Sequence, residues 1–191
     1  MSLPVVLGID PDTRHIGWSI ATKHEVLAVG VITSSAEDSD LSHVQMITNL
    51  GLAVPVILSE HPEITHVCIE TPVVRHEAKA PPKDIIKLTV VAGALAGAVE
   101  VASGGRVAKL MPFPSEWKGQ VPKPIHQARI FAHYGILATQ LPTHCYPAGC
   151  KAIARVQGAA AIKRGDWKHV ADAIGLARWA ADRLAEAARR P

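Results

Sequence analysis

Leu7-Gly8-Ile9-Asp10-Pro11-Asp12-Thr13-Arg14-His15-Ile16-Gly17-Trp18 decides how the rest of the chain is read. The apolar run at 5–9 predicts a buried strand at the centre of a sheet. Asp10 stands at its carboxyl end, and Pro11-Asp12 turns the chain. Residues 16–21 predict a second strand, in which Gly17 leaves room for a close approach of backbone. A carboxylate at the end of a buried strand is costly unless something pairs with it, and a metal ion is one such partner. Two more pieces of this kind follow. Glu70 ends a short apolar segment, and His169-x-x-Asp172 opens a helix. Read together, the four residues make one acidic metal site.

Working outward, residues 3–10, 16–22 and 25–32 predict three strands, with 22–25 as a hairpin connection. A helix is expected over 41–60, capped by Ser39 or Asp40 and kinked or interrupted at Pro55. Residues 65–70 predict a fourth strand, and 71–83 a loop rich in proline and basic residues. A long helix over 84–103 carries small residues and stops at Gly104-Gly105; a fifth strand follows at 106–110. Helices are expected at 124–138 and 152–163, the second weakened by Gly158. The final helix has Asp166 as its cap, with Val170, Ile174, Ala177, Ala181, Leu184 and Ala188 at spacings of three and four. Three antiparallel strands, then two parallel strands reached through helices, predict an α/β fold with a five-stranded mixed sheet flanked by helices. No repeat or linker divides the chain, so residues 1–191 read as one domain.

The chemistry follows from this topology. Carboxylates at the ends of adjacent parallel strands face one crevice, so Asp10 and Glu70 are expected to be neighbours. His169 and Asp172, three apart on a helix, share a face. Carboxylate oxygens with one imidazole form a hard-ligand set that suits Mg²⁺ or Mn²⁺ better than zinc. Two such ions about 4 Å apart clamp the attacking and leaving oxygens of a phosphodiester displacement. Each residue also has a plainer reading: a turn former at Asp10, and exposed first-turn residues at His169 and Asp172. The joint pattern favours the site.

These motifs resemble those of RuvC-type Holliday junction resolvases. The stretch from Leu7 to Trp18 resembles their opening strand, Cys68-Ile69-Glu70 their second carboxylate strand, and His169-Val170-Ala171-Asp172-Ala173-Ile174-Gly175-Leu176-Ala177 their closing helix. The order and approximate spacing agree over about residues 3–180. The resemblance implies a ribonuclease H-like fold, a homodimer, and Mg²⁺- or Mn²⁺-dependent paired nicking of four-way DNA. It also implies that Asp10 bridges two ions, with Glu70 completing one site and His169 and Asp172 the other. Lys118, beside Trp117, and Lys123 stand where the family has phosphate-contacting lysines.

Two departures stand out. After Glu70 the family often carries an aromatic residue; here Arg75 and His76 occupy the stretch and are expected to contact the DNA backbone instead. The chain is longer than the family pattern over 139–165, which fits a divergent, phage-type member. His144-Cys145 with Cys150 in that insertion lacks the spacing of a zinc finger and an obvious fourth ligand.

Composition bounds the partners. Net charge is +3, but residues 1–70 hold two basic and nine acidic residues while 71–191 hold eighteen and eight. An acidic part joined to a basic part suits a polyanionic substrate handled by a metal. No membrane span is expected, and no secretory signal. Three cysteines in a chain with a sizeable core fit a reducing cytoplasm, that of a bacterial host if the protein is phage-encoded. Other classes weigh less. A YqgF-like nuclease acting on structured RNA shares the first motif. An actin-like ATP-binding domain needs a second phosphate loop that the sequence lacks. A non-catalytic junction-binding protein has no use for acids that repel phosphates.

Overall fold

The computed structural model describes residues 3–35, 41–73, 82–135, 158 and 161–189. Strands β1 (Val6–Asp10), β2 (His15–Ala21), β3 (Val26–Thr33), β4 (His66–Ile69) and β5 (Ala108–Leu110) form a sheet in the order β3-β2-β1-β4-β5. β2 pairs antiparallel with both β1 and β3, whereas β1–β4 and β4–β5 are parallel. This is the expected mixed sheet, with β1 central and buried along its length. Helices α1 (Ser42–Glu60), α2 (Pro82–Ser103), α3 (Pro114–Trp117), α4 (Lys123–His133) and α5 (Trp167–Ala187) flank it, and a 3₁₀ turn at Arg164–Asp166 leads into α5.

Strand alternation divides the core in two. Leu7, Ile9, Ile16, Ile20, Val67 and Ile69 point to one face, where Met46, Leu50 and Val54 of α1 and Val91, Leu95 and Val99 of α2 cover them. Val6, Ala21 and Cys68 point to the other, against Leu176, Ala177, Ala180 and Ala181 of α5. Asp10 shares its parity with Val6, and Glu70 with Cys68. Alternation alone therefore aims both carboxylates at the α5 side.

Two glycines let α5 lie directly on the sheet. A Cβ on Gly8 would stand 2.2 Å from the Ala173 carbonyl oxygen, and one on Gly17 would stand 2.4 Å from that of His169. The room expected at Gly17 is thus filled by the backbone of α5. The helix pays no heed to a single apolar stripe here: from His169 to Ala177 every residue is buried.

Several sequence expectations are corrected. Pro55 lies inside α1 and does not interrupt it. Its missing N–H leaves the carbonyl of exposed Gly51 without a helical partner, a place where water can serve. Leu41 is the N-terminal flanking residue of α1 and makes no side-chain cap, while Ser39 and Asp40 lie outside the described residues. Helix α4 ends at His133, not near 138, because Gly135 adopts a φ of 64°. The helix expected at 152–163 does not run through its described part: Gly158 has a φ of 82°, and residues 162–163 are not helical. Asp166 makes no cap bond; its carboxylate instead lies 3.2 Å from His15 Nδ1. Finally, α1 and the 83–103 part of α2 are long and apolar enough, by length and composition, to cross a membrane. The sequence expectation overlooked that 41–59 holds no Asp, Glu, Lys or Arg. Here the two helices pack on each other and on the sheet, and the Asn49 amide of α1 donates to the Thr33 carbonyl at 2.7 Å.

Candidate active site

The site forms where β1 and β4 end. Their register pairs Ile9 with Ile69, so Asp10 and Glu70 leave adjacent parallel strands side by side. The Glu70 N–H extends the ladder by one bond to the Ile9 carbonyl, at 3.4 Å. Crossing at Gly17, α5 brings His169 and Asp172 over the same strand ends. His169 Nδ1 lies 3.2 Å from Asp10 Oδ2. Against an ionised carboxylate Nδ1 carries the proton, which leaves Nε2 with its lone pair free to accept. The His15 ring stacks on His169 at 6.1 Å between centroids.

Each carboxylate has a neutral partner that fixes its orientation. For Asp10 it is His169. For Glu70 it is Trp117 of α3, whose indole N–H donates to Oε2 at 2.7 Å. For Asp172 it is Gln127 of α4, whose amide donates to Oδ1 at 2.9 Å and also to the Lys168 carbonyl at 3.0 Å. The loop that delivers α3 is tied to the end of β4: Thr71 donates from its N–H to the Pro112 carbonyl and from its hydroxyl to the Met111 carbonyl, both at 2.8 Å.

Two of the carboxylates also carry an ammonium group. Lys118 Nζ donates to Glu70 Oε2 at 2.9 Å. Lys123 Nζ forms an ion pair with Asp172 Oδ2. Both lysines were expected on DNA phosphates; in this structure they face the acids. Asp172 is 1% exposed and Asp10 8%. Burial is the chief cause that pushes Asp10 up from 3.8 to about 6. The bond from His169 and the charge of Lys123 oppose the shift, and the charges of Asp172 and Glu70 add to it. Lys123 is held above its ordinary range: burial acts against its charge, but Asp172 and Asp10 outweigh it.

Do these residues fit a divalent cation? Their chemistry does. Three carboxylates and one imidazole converge on a place where burial and mutual repulsion leave negative charge short of compensation. Among the described residues, however, no three His, Cys, Asp or Glu side chains stand close enough together to hold an ion as they are. At Glu70 and Asp172 an ammonium closes on an oxygen that a metal would use. The donor types are those Mg²⁺ or Mn²⁺ takes, and two of the three carboxylates are paired with an ammonium.

Trp117 and Gln127 were not read from the sequence as site residues. Gln127 follows Lys123 by four on α4, so a helical-face argument from Lys123 reaches it. Nothing local marks Trp117, which lies 47 residues from Glu70. Arg75, His76, His144, Cys145 and Cys150 lie outside the described residues.

No sequence-family model and no curated protein matches the chain. Solved structures do. RuvC of Thermus thermophilus in complex with a Holliday junction substrate superposes with a TM-score of 0.63 at 19% identity, covering 96% of each chain. The chain has a RuvC-like fold. A second Thermus thermophilus RuvC structure gives a TM-score of 0.61 at 18% identity, again over 96% of each chain. The yeast mitochondrial Holliday junction resolvase gives 0.54 at 13% identity, over 96% of this chain and 81% of that one. The RuvC-like fold thus extends over nearly the whole chain, and Asp10, Glu70, His169 and Asp172 stand together at one end of its central strands.

Proposed function

We propose that this protein is a divalent-metal-dependent endonuclease that resolves four-way DNA junctions by paired symmetric nicks. The observation that carries the reading is the meeting of Asp10, Glu70, His169 and Asp172 at the carboxyl ends of β1 and β4. The RuvC-like fold supports a junction as substrate.

Asp10, Glu70, His169 and Asp172 would hold two ions, with Asp10 shared. Bound Mg²⁺ or Mn²⁺ supplies Lewis acidity at the scissile phosphate and stabilises the leaving oxygen. The protein supplies orientation and charge compensation. Trp117 and Gln127 fix the carboxylates of Glu70 and Asp172, so less freedom is lost when they are used. His169 donates from Nδ1 to Asp10, so its one lone pair, at Nε2, would go to an ion; the attacking water gives its proton to solvent as its oxygen adds to phosphorus and a P–O bond breaks. Lys118 and Lys123 neutralise phosphate oxygens, and Arg75 and His76 extend that contact along the backbone.

Symmetric nicking needs two copies of the site. The outer face of α2 is the surface for a second copy: Ile86, Val90 and Val101 are exposed, and Gly93 and Gly97 between them have open space beside them.

One observation favours a second reading, a junction-binding protein without catalysis. Lys118 and Lys123 already neutralise two of the acids and lessen their repulsion of DNA. Incubation of wild type and Asp10→Asn with a labelled four-way junction and Mg²⁺ or Mn²⁺ separates the two. Paired nicks by wild type alone support the nuclease. Binding without nicks in either metal favours the second reading. Cleavage of structured RNA in preference to the junction points to the YqgF-like alternative.

A further inference from the structure

Lys118 and Lys123 occupy the acids they were expected to leave bare, and the way they do so is informative. On Asp172 the two oxygens have different partners. Oδ1 accepts a hydrogen bond from Gln127, whereas buried Oδ2 is paired with the Lys123 ammonium. On Glu70 the Trp117 indole and the Lys118 ammonium share Oε2. Trp117 and Gln127 are themselves buried, at 6% and 4% exposure, and are fixed in the core. The lysines are less enclosed: the Lys123 side chain is 49% exposed and that of Lys118, which lies over the Trp117 ring at 4.7 Å, 21%. Each acid is therefore held by one fixed neutral donor and one flexible cation on a four-carbon stem.

We propose that Lys118 and Lys123 are exchangeable counter-ions: each closes its carboxylate until a divalent cation enters, and each is then released to the DNA backbone. The idea rests on the nuclease reading and adds a property to it. Metal and DNA become cooperative ligands, because the cation frees the ammonium that a phosphate then takes. By linkage, DNA must raise metal affinity by the same factor. Without DNA, the lysines weaken metal binding and keep the acids neutralised.

The test is metal binding without turnover. Mn²⁺ affinity is measured by calorimetry, without DNA, for wild type, Lys118→Met, Lys123→Met and Asp10→Asn. Each lysine variant is expected to bind Mn²⁺ about tenfold more tightly than wild type, since its competitor is gone. Junction binding is then measured with and without Ca²⁺. Each lysine variant is expected to bind more weakly in Ca²⁺, with a salt slope lower by about one, and to show a smaller gain on Ca²⁺ addition than wild type.

Removal of Lys123 leaves a buried charge without its partner, so melting curves accompany the titrations and Lys123→Gln serves as a second variant with the same expected order. Lysine variants that bind Mn²⁺ no more tightly than wild type overturn the exchange. So does an unchanged Ca²⁺ gain in junction binding, which would make the lysines mere structural neutralisers. In either case a loss of Mn²⁺ binding in Asp10→Asn leaves the metal-site reading standing. Failure of wild type and every variant to bind Mn²⁺ overturns both.

Discussion

Asp10 concentrates the conflict between stability and function in this molecule. Its carboxylate is buried beside two others, and its charge is tolerated poorly. Asp10→Asn keeps the shape and removes that charge. The variant is expected to lose junction nicking and yet to melt higher in EDTA at neutral pH, by about 2 kcal/mol or roughly 4–8 °C. Calorimetry with and without Mg²⁺ checks this, and a lower melting point for the variant would contradict it. At this scale the sequence was informative where chemistry follows from strand parity or helix spacing. That Asp10 and Glu70 end neighbouring strands, and that His169 and Asp172 share a face of α5, was legible for that reason. The partners that hold them were not. Trp117 reaches Glu70 across 47 residues and Gln127 reaches Asp172 across 45, distances at which only the tertiary fold brings groups together. The resting place of Lys118 and Lys123 was equally hidden, because a lysine near both acids and expected phosphates can serve either.

Among the elements, α5 matters most, and its seat depends on the absence of two methyl groups. Gly17→Ala would drive a Cβ into the His169 backbone, and Gly8→Ala would do the same at Ala173 and Ala177. Either substitution is expected to cost about 1–3 kcal/mol or more by overpacking. Gly17→Ala should also reduce nicking beyond its loss of stability, because the displaced residue is His169. Denaturant melts paired with nicking rates at a temperature where both proteins are folded check this. By contrast, Gly51→Ala meets open space on exposed α1 and is expected to be neutral or mildly stabilising. Element boundaries were legible where apolar runs met turn residues, as at β1 and the 22–25 turn. They were misjudged where an end depends on backbone conformation, as at Gly135 and Gly158. Asp166 looked like a cap because a cap is a local motif; it answers instead to His15, far off in sequence.

At the scale of the whole molecule, the apolar outer face of α2 calls for a cover. A dimer through this face predicts a definite change. Val101, at 85% exposure, and Val90 lie on that face, so Val90→Lys with Val101→Asp should shift the protein from dimer to monomer in sedimentation. Neither side chain is buried in the single chain, so the fold should survive, while the melting point should fall with loss of the dimer and cease to depend on protein concentration. The same pair of substitutions should turn paired nicks into single ones. A wild-type mass that is monomeric at working concentration would count against this arrangement.

The seat of α5 on β1 also orders events in time. His169 meets Asp10 across 159 residues of chain, so during synthesis β1 waits for α5. At ordinary synthesis rates the wait is roughly ten seconds or more. Until then β1 and β2 have one uncovered face, and the acids lack their imidazole and third carboxylate. A chain that ends before Trp167 lacks His169 and Asp172, and under the proposed function it is expected not to nick a junction. Under the proposed function, the site is therefore incomplete until α5 has been made, a safeguard written into the order of the elements.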